Sequence, residues 1–326
     1  MTMSESSQNS SIFSVREIGE KPKRGGSIGT GATRLLRFWQ RFRQYPQGII
    51  GVCFIAALIL MAIFAPFITH GVTPQSYFIF QVGFGNYGPS LADFPARIFG
   101  YTNSSDLQHS VFADVIYGAR ATLLVGFLSA FFSAVLGVGI GAIAGFWGGW
   151  FDTIVSRIIE LALSLPFLPL AIALTLAAGV QATVPSLIIV FSSVGWADIA
   201  RIIRANVIAL TGTEYVEAAH SAGVGSFRII WRHILPNTTA PIIIFTTLSV
   251  AKFITAEATL DFLLLGITNT TTWGNTLANA KDYMFEGNWW WVFFPGFFIV
   301  LTVLSINFIG EALRSTFNVR ESVIGS

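Results

Sequence analysis

Ionisable side chains inside long apolar segments are the groups in this sequence with the most evident chemistry. The candidates are Glu160, Lys252, Glu257, Asp261 and Glu311. Charge within a membrane span is costly and normally faces the helix bundle or a water-filled cavity. Glu257 and Asp261 are four residues apart and therefore share one helix face. Together with Lys252 they could line a pathway for a cationic or zwitterionic solute. Alternatively, the two carboxylates could pair with Lys252 or a neighbouring helix, or lie at the outer interface.

A second candidate is a polar and basic stretch, residues 214–237, which lies between apolar segments. Its pattern predicts a helix that begins at Thr213 or Glu214, with a carboxylate near the positive helix end. Gly223 and Gly225 then permit a sharp turn.

Apolar residues in the second half of this stretch recur at three- and four-residue intervals, which predicts another helix with a single apolar face. They are Phe227, Ile230, Trp231 and Ile234. Leu235 and Pro236 should end this helix, because proline disfavours helix in the residue before it. Such a unit suits docking into a groove on another protein; the alternative is an ordinary loop.

Gly137, Gly141 and Gly145 recur every four residues, so they share one helix face and predict close packing against a neighbouring helix. A dinucleotide-binding fingerprint is excluded. The glycines lie within a membrane span, no strand precedes them, and the third glycine is not at the required spacing.

Composition predicts an integral membrane protein, since 53% of the 326 residues are hydrophobic and only 11% are charged. The single cysteine, Cys53, excludes an internal disulfide and a cysteine zinc cluster. The sequence contains neither a zinc-protease motif nor a phosphate-binding loop, and four scattered histidines suggest no metal site. We therefore expect no catalytic centre and no cofactor bound by this chain.

Six apolar segments are long enough to cross a bilayer, which takes about 20 helical residues. The predicted fold is thus an all-α membrane protein. Pro166 and Pro169 should kink the third helix. The predicted spans are residues 48–69, 121–146, 154–178, 184–203, 241–265 and 291–313.

The remaining segments are assigned by composition. Residues 1–33 are rich in Ser, Gly and Lys and are predicted to be a disordered tail. Residues 34–47 alternate Arg with aromatic residues, which predicts an amphipathic helix at the headgroups; a solvated basic tail is the alternative. Residues 70–117 are predicted to be an outer loop, and residues 204–237 a large loop on the opposite side.

The distribution of basic residues predicts the orientation. With the N-terminus in the cytoplasm, 15 of the 19 Lys and Arg residues lie inside, so both termini and residues 214–237 should be cytoplasmic. Eight of these lie in residues 1–47, and the others are Arg157, Arg201, Arg204, Arg228, Arg232, Arg314 and Arg320.

The 214–237 stretch resembles the EAA loop of ATP-binding-cassette (ABC) importer permeases. The residues that carry this resemblance are Glu217, Ala218, Ala219, Gly223, Ile234, Leu235 and Pro236. Motifs over about residues 45–320 resemble the C-type permease of the dipeptide, oligopeptide and nickel branch. These motifs are YGAR at 117–120, GFWGGWFD at 145–152, WGN at 273–275, FPG at 294–296, LTVL at 301–304 and Asn307.

The resemblance implies one permease domain, residues 48–320, with the type I importer fold and a cytoplasmic coupling helix. Glu217 would contact the ATPase, and Gly223 would form the turn of that helix. The implied partners are a related second permease, two ABC ATPases that bind ATP and Mg²⁺, an extracytoplasmic binding protein, a peptide substrate and membrane lipids, without nucleic acid. The location would be a bacterial or archaeal cytoplasmic membrane.

Some positions depart from this branch, and they bear on the substrate. Gln108, His109 and Ser110 replace a usual Gly-Arg-Asp, Asp114 replaces a usual arginine, and Lys252 and Asp261 replace small or hydroxyl residues. The same architecture could therefore import a nickel chelate or another solute. An ATP-independent channel or secondary transporter is the other alternative, although no inverted repeat is evident.

Overall fold

The computed structural model describes residues 31–69, 99, 101–104, 107–177 and 182–324. Within the described residues, helices joined by short turns and loops make up most of the structure, and one antiparallel β-hairpin lies within the predicted outer loop. The elements are α1 (Gly31–Phe42), α2 (Pro46–Ile63), α3 (Ala65–Ile68), β1 (Tyr101–Ser104), β2 (Leu107–Ser110), α4 (Val111–Trp147), α5 (Gly149–Ser164), α6 (Phe167–Ala177), α7 (Val184–Thr211), α8 (Glu214–Ser221), α9 (Ser226–Ile229), α10 (Thr239–Phe262), α11 (Trp273–Ala280) and α12 (Trp289–Ile324).

The predicted all-α fold is confirmed, and five of the six predicted spans are continuous helices. Helices α2, α4, α7, α10 and α12 are each long and apolar enough to cross a membrane, and α5 with α6 passes the same test as a pair bent by 92°. The third span is therefore broken, not merely kinked. Leu165 is extended because Pro166 follows it, whereas Pro169 falls in the first turn of α6, where no amide hydrogen is needed.

Helix α4 begins ten residues before the predicted span, so residues 111–117 are helical and do not belong to a loop. Ser110 caps α4 by accepting a hydrogen bond from the Ala113 amide at 3.4 Å. Arg120, ten residues after Ser110, donates hydrogen bonds to the carbonyl oxygens of Ala62 and Ile63 at the end of α2. Hydropathy detects the apolar part of a helix, and these polar contacts extend α4 beyond it.

The glycine row of α4 packs against α7, as the spacing suggests. A Cβ added at Gly137, Gly141 and Gly145 would lie only 2.7, 2.5 and 2.7 Å from backbone carbonyl oxygens of α7. Those oxygens belong to Trp196, Ala200 and Arg204. They also recur every four residues, so the two helices touch backbone to backbone over two turns. This contact fixes the end of α7 from which residues 214–237 continue.

Several predictions fall on residues outside the described part of the chain. They are the tail before residue 31, most of the outer loop at residues 70–98, and the end of the third predicted span at residue 178. The backbone at Gln108 and His109 lies in β2, but their side chains are not described. The headgroup location of residues 34–47 stays a prediction; helix α1 covers residues 31–42 of this region.

Candidate functional site: an exposed helical module

Residues 214–237, which we call the docking module, begin with α8. Thr213 has the extended backbone of a residue that precedes a helix. Its hydroxyl, however, donates back to the Leu210 carbonyl at 2.6 Å and does not cap α8. Glu214 and Glu217 occupy the first turn, where the partial positive charge of the helix end stabilises carboxylates. Both side chains are exposed and available to a partner.

The turn after α8 is a Schellman motif that depends on Gly223. The Val224 amide donates to the Ala219 carbonyl at 3.1 Å, and the Gly223 amide donates to the His220 carbonyl at 3.0 Å. Gly223 has φ +76°, a conformation that glycine adopts without strain. Gly225 has φ −61°, so the predicted second glycine of the turn is not required by the backbone.

The predicted single apolar face of the second helix is wrong. Ile230 and Ile234 are almost fully buried, whereas Phe227 and Trp231 are 73% and 60% exposed. Residues four apart form two adjacent rows here, and only the isoleucine row reaches the core between α4 and α7. The helix also widens into a π-helical turn at Ile230–Ile234. Pro236 lies within a short 3₁₀ turn that leads into α10, so it does not mark a free end.

The module therefore presents an exposed aromatic surface on a fixed base. The rings of Phe227 and Trp231 are 6.0 Å apart, and Tyr215 is 42% exposed. Asn237 joins the two halves by donating to the Tyr215 hydroxyl oxygen at 3.3 Å. Exposed aromatic side chains that lie beside charged residues are typical of protein interfaces. This surface can bind a partner.

The residues that the resemblance selects differ in exposure. Glu217 and Ala218 point outward, whereas Ala219 packs against the same core as Val216, which is 4% exposed. Leu235 also packs against this core, and Pro236 is exposed. The pattern separates contact positions from anchoring positions within one short motif.

An ion pair missed by the sequence analysis holds α5 against α7. Arg204 donates to both oxygens of Asp152, at 2.5 and 2.6 Å. Such a bidentate pair is geometrically specific and joins the start of α5 to α7 two turns before the end of α7. Asp152 lies 52 residues from Arg204, so spacing alone does not predict the pair.

The structure separates the three residues predicted for a solute pathway. Glu257 and Asp261 are 0% and 1% exposed within the core of this chain, and neither pairs with Lys252. Glu257 accepts a hydrogen bond from the Thr122 hydroxyl at 3.2 Å. Asp261 accepts from the Ile267 amide at 2.6 Å and from the Thr272 hydroxyl. These contacts favour the alternative in which the two carboxylates hold helices together.

Lys252 instead pairs with Asp198 of α7, at 2.7 Å. The two side chains are 38% and 40% exposed, so they reach the surface of the chain. Asp198 lies within the fourth predicted span but was not among the candidate residues. Its acidic character within an apolar segment was the signal that could have identified it.

Comparison with known proteins supports one family over most of the chain. The family described as "Binding-protein-dependent transport system inner membrane component" matches residues 137–321. The family described as "N-terminal TM domain of oligopeptide transport permease C" matches residues 33–89.

Two named relatives belong to peptide transport systems. The chain is 34% identical to the dipeptide transport system permease protein DppC of Bacillus subtilis, over 85% of this chain and 82% of that one. It is 33% identical to the di/tripeptide transport system permease protein DppC of Pseudomonas aeruginosa, over 86% and 90%.

A solved structure has the same fold. The inward-facing methionine ABC transporter MetNI contains a chain that superposes with a TM-score of 0.51. The match covers 62% of this chain and 96% of that one, at 21% identity, and therefore concerns the fold alone.

Proposed function

Because the chain belongs to the family of binding-protein-dependent transport system inner membrane components, we propose that it is the permease subunit of an ATP-driven importer of di- or oligopeptides. The relatives named for dipeptide and di/tripeptide transport support this substrate class. The proposed complex contains a related second permease, two ABC ATPases and an extracytoplasmic binding protein. ATP and Mg²⁺ would bind the ATPases, and this chain would bind neither.

One observation carries the proposed coupling role: the docking module exposes Phe227 and Trp231 while isoleucines anchor it to the bundle. A rigid module transmits motion because packed elements shift between discrete arrangements and do not deform continuously. The ATPase would bind the aromatic surface, and the buried isoleucines would transmit its movement to α4 and α7. Glu217 would add a charged contact at the positive end of α8.

This role requires the module and both termini to lie in the cytoplasm, in the inner membrane of a bacterium or archaeon. The excess of basic residues on that side supports the orientation. Arg228 and Arg232 are exposed on the module itself and add to this excess.

The test removes one exposed aromatic side chain from the module. Trp231→Ala should weaken ATPase binding at least tenfold, because a central aromatic residue often contributes more than about 1.4 kcal/mol to an interface. Co-purification of the ATPases with this chain and peptide-stimulated ATP hydrolysis in proteoliposomes measure the effect. The thermal stability of the chain should change little, since Trp231 is 60% exposed.

Phe285→Ala is the matched control, because Phe285 is an exposed aromatic residue outside the module. It should leave ATPase binding intact. Normal ATPase binding by Trp231→Ala, together with normal binding by the Phe227→Ala and Glu217→Ala variants, would contradict the docking role.

A further inference from the structure

A row of polar side chains crosses an apolar face of this bundle. On α10, Lys252, Thr255 and Thr259 recur at three- and four-residue intervals and are exposed or half-exposed. On α7, Asp198 and Arg201 are three residues apart and also reach the surface. A face in contact with lipid tails does not tolerate charged groups near its middle, so this face should meet water or another protein.

The centre of the row is the Asp198–Lys252 ion pair. The first residue of α6, in the broken span, contacts this pair. The Lys252 ammonium lies 4.2 Å from the centre of the Phe167 ring, within the range of a cation–π interaction. Phe167 is the first residue of α6, directly after the 92° break. Irregular backbone at membrane depth is tolerated only where it is buried in protein or lines a wet cavity. Three helices thus bring a charged pair and a helix break to one place.

A cavity with several polar residues in its lining continues from the row towards the docking module. Its volume is about 410 Å³, and it lies between α5 and α7. Arg201 lines it, one turn along α7 from Asp198. The other polar residues that line it are Ser156, Glu160, Ser164 and Arg204. Charge and hydroxyl groups therefore extend from the middle of the bundle to the end that carries the module.

We propose that Asp198 and Lys252 determine substrate specificity by receiving the two charged termini of a peptide during its passage. This inference rests on the proposed function, which supplies the peptide. Asp198 would bind the terminal ammonium group, and Lys252 the terminal carboxylate. Without substrate the two side chains neutralise each other, so neither charge is left unpaired within the apolar part of the bundle.

The geometry requires the pair to separate when a peptide enters. The termini of an extended dipeptide are roughly 7 Å apart, whereas the paired atoms are 2.7 Å apart. Both side chains are more than one third exposed, so they can move without disrupting the core. A zwitterion replaces each lost contact with a contact of the same kind, and a solute with a single charge leaves one partner unpaired.

The experiment places a reporter one turn from the ion pair. Thr255→Cys, in a Cys53→Ser background, leaves Asp198 and Lys252 intact. The complete complex is reconstituted in proteoliposomes and treated with methanethiosulfonate ethylsulfonate, a small water-soluble thiol reagent. Labelling of this chain is followed by mass spectrometry. The native Cys53, exposed on α2 and outside the polar row, is the control thiol in the unsubstituted chain.

We expect the introduced thiol at position 255 to react at least tenfold faster than Cys53. During ATP turnover, L-alanyl-L-alanine together with its binding protein should slow the reaction at position 255 about tenfold. Adding Lys252→Gln or Asp198→Asn should abolish most of the protection. The double exchange Asp198→Lys with Lys252→Asp restores an ion pair, and it tests whether any ion pair at these two positions is sufficient for protection by the peptide. It should not restore protection, because the proposal assigns the terminal ammonium group to position 198 and the terminal carboxylate to position 252, and the exchange places a like charge at each.

The outcomes separate this inference from the proposed function. Labelling no faster than that of Cys53, or protection that persists in both neutralised variants, overturns the role of the pair. Restored protection in the double exchange also overturns it, because the pair would then be only a contact between α7 and α10. Peptide-stimulated ATP hydrolysis by the unsubstituted complex is measured in parallel. Its absence contradicts the proposed function whatever the labelling shows.

Discussion

Two helix ends in this molecule have the same hydrogen-bond pattern but different residues at the critical position. Helix α8 ends in a Schellman motif with Gly223 at φ +76°. Helix α10 ends in the same motif, with the Leu265 amide donating to the Leu260 carbonyl at 3.0 Å and Leu264 at φ +62°. Glycine adopts this conformation freely, whereas for leucine it costs about 1–2 kcal/mol.

The surroundings explain how the leucine is held. Next to Leu264, buried Asp261 accepts hydrogen bonds from Ile267 and Thr272 and fixes the segment that follows α10. Trp273 then inserts fully into the core and donates to the Val115 carbonyl at 2.8 Å. No comparable buried charge supports Gly223 among the residues that the structure describes. Local sequence therefore determines the end of α8, and tertiary contacts determine the end of α10.

The largest effect expected from this comparison follows removal of the Asp261 carboxylate. Asp261→Ala should lower the free energy of unfolding by about 3 kcal/mol, because two buried donors lose their acceptor at roughly 1–3 kcal/mol each. Unfolding by sodium dodecyl sulfate in mixed micelles measures the change. Thr247→Ala is the control, since that hydroxyl bonds only within α10 and should have little effect. Equal stability of the two variants would mean that Asp261 does not hold the end of α10.

An intermediate effect is expected at the end of α8. Gly223→Ala should destabilise the module by about 1 kcal/mol, because alanine is strained at a positive φ. Gly225→Ala is the matched control: φ there is −61°, and apart from the adjacent residues no atom lies within 4 Å of an added Cβ. Hydrogen exchange of the α8 amides in both variants measures the local stability. Equal hydrogen-exchange protection in the two variants would show that the turn does not require glycine at position 223.

The same contrast explains what could be predicted from the sequence. The Gly223 turn and the Gly137, Gly141 and Gly145 row depend on local spacing, and each has the geometry that the spacing suggests. The pairing of Lys252 with Asp198 depends on how α7 meets α10, and hydropathy does not contain that information.

In the docking module, too, the sequence pattern does not reveal which residues the neighbouring helices cover. Periodicity placed four apolar residues on one face, but only the packing of α4 and α7 decides which of them are covered. Ile230 and Ile234 are buried there, and Phe227 and Trp231 remain exposed.

The smallest expected effect is a gain in stability at Leu264. Leu264→Gly should relieve about 1–2 kcal/mol of backbone strain and lose about 0.5–1 kcal/mol through the greater freedom of glycine in the unfolded chain. Leu264 is 63% exposed, so little packing is lost. The net gain should be roughly 0.5 kcal/mol in the detergent unfolding assay. A loss of stability would show that the Leu264 side chain contributes more than its backbone strain costs, and the α10 end would then differ from α8 by its packing.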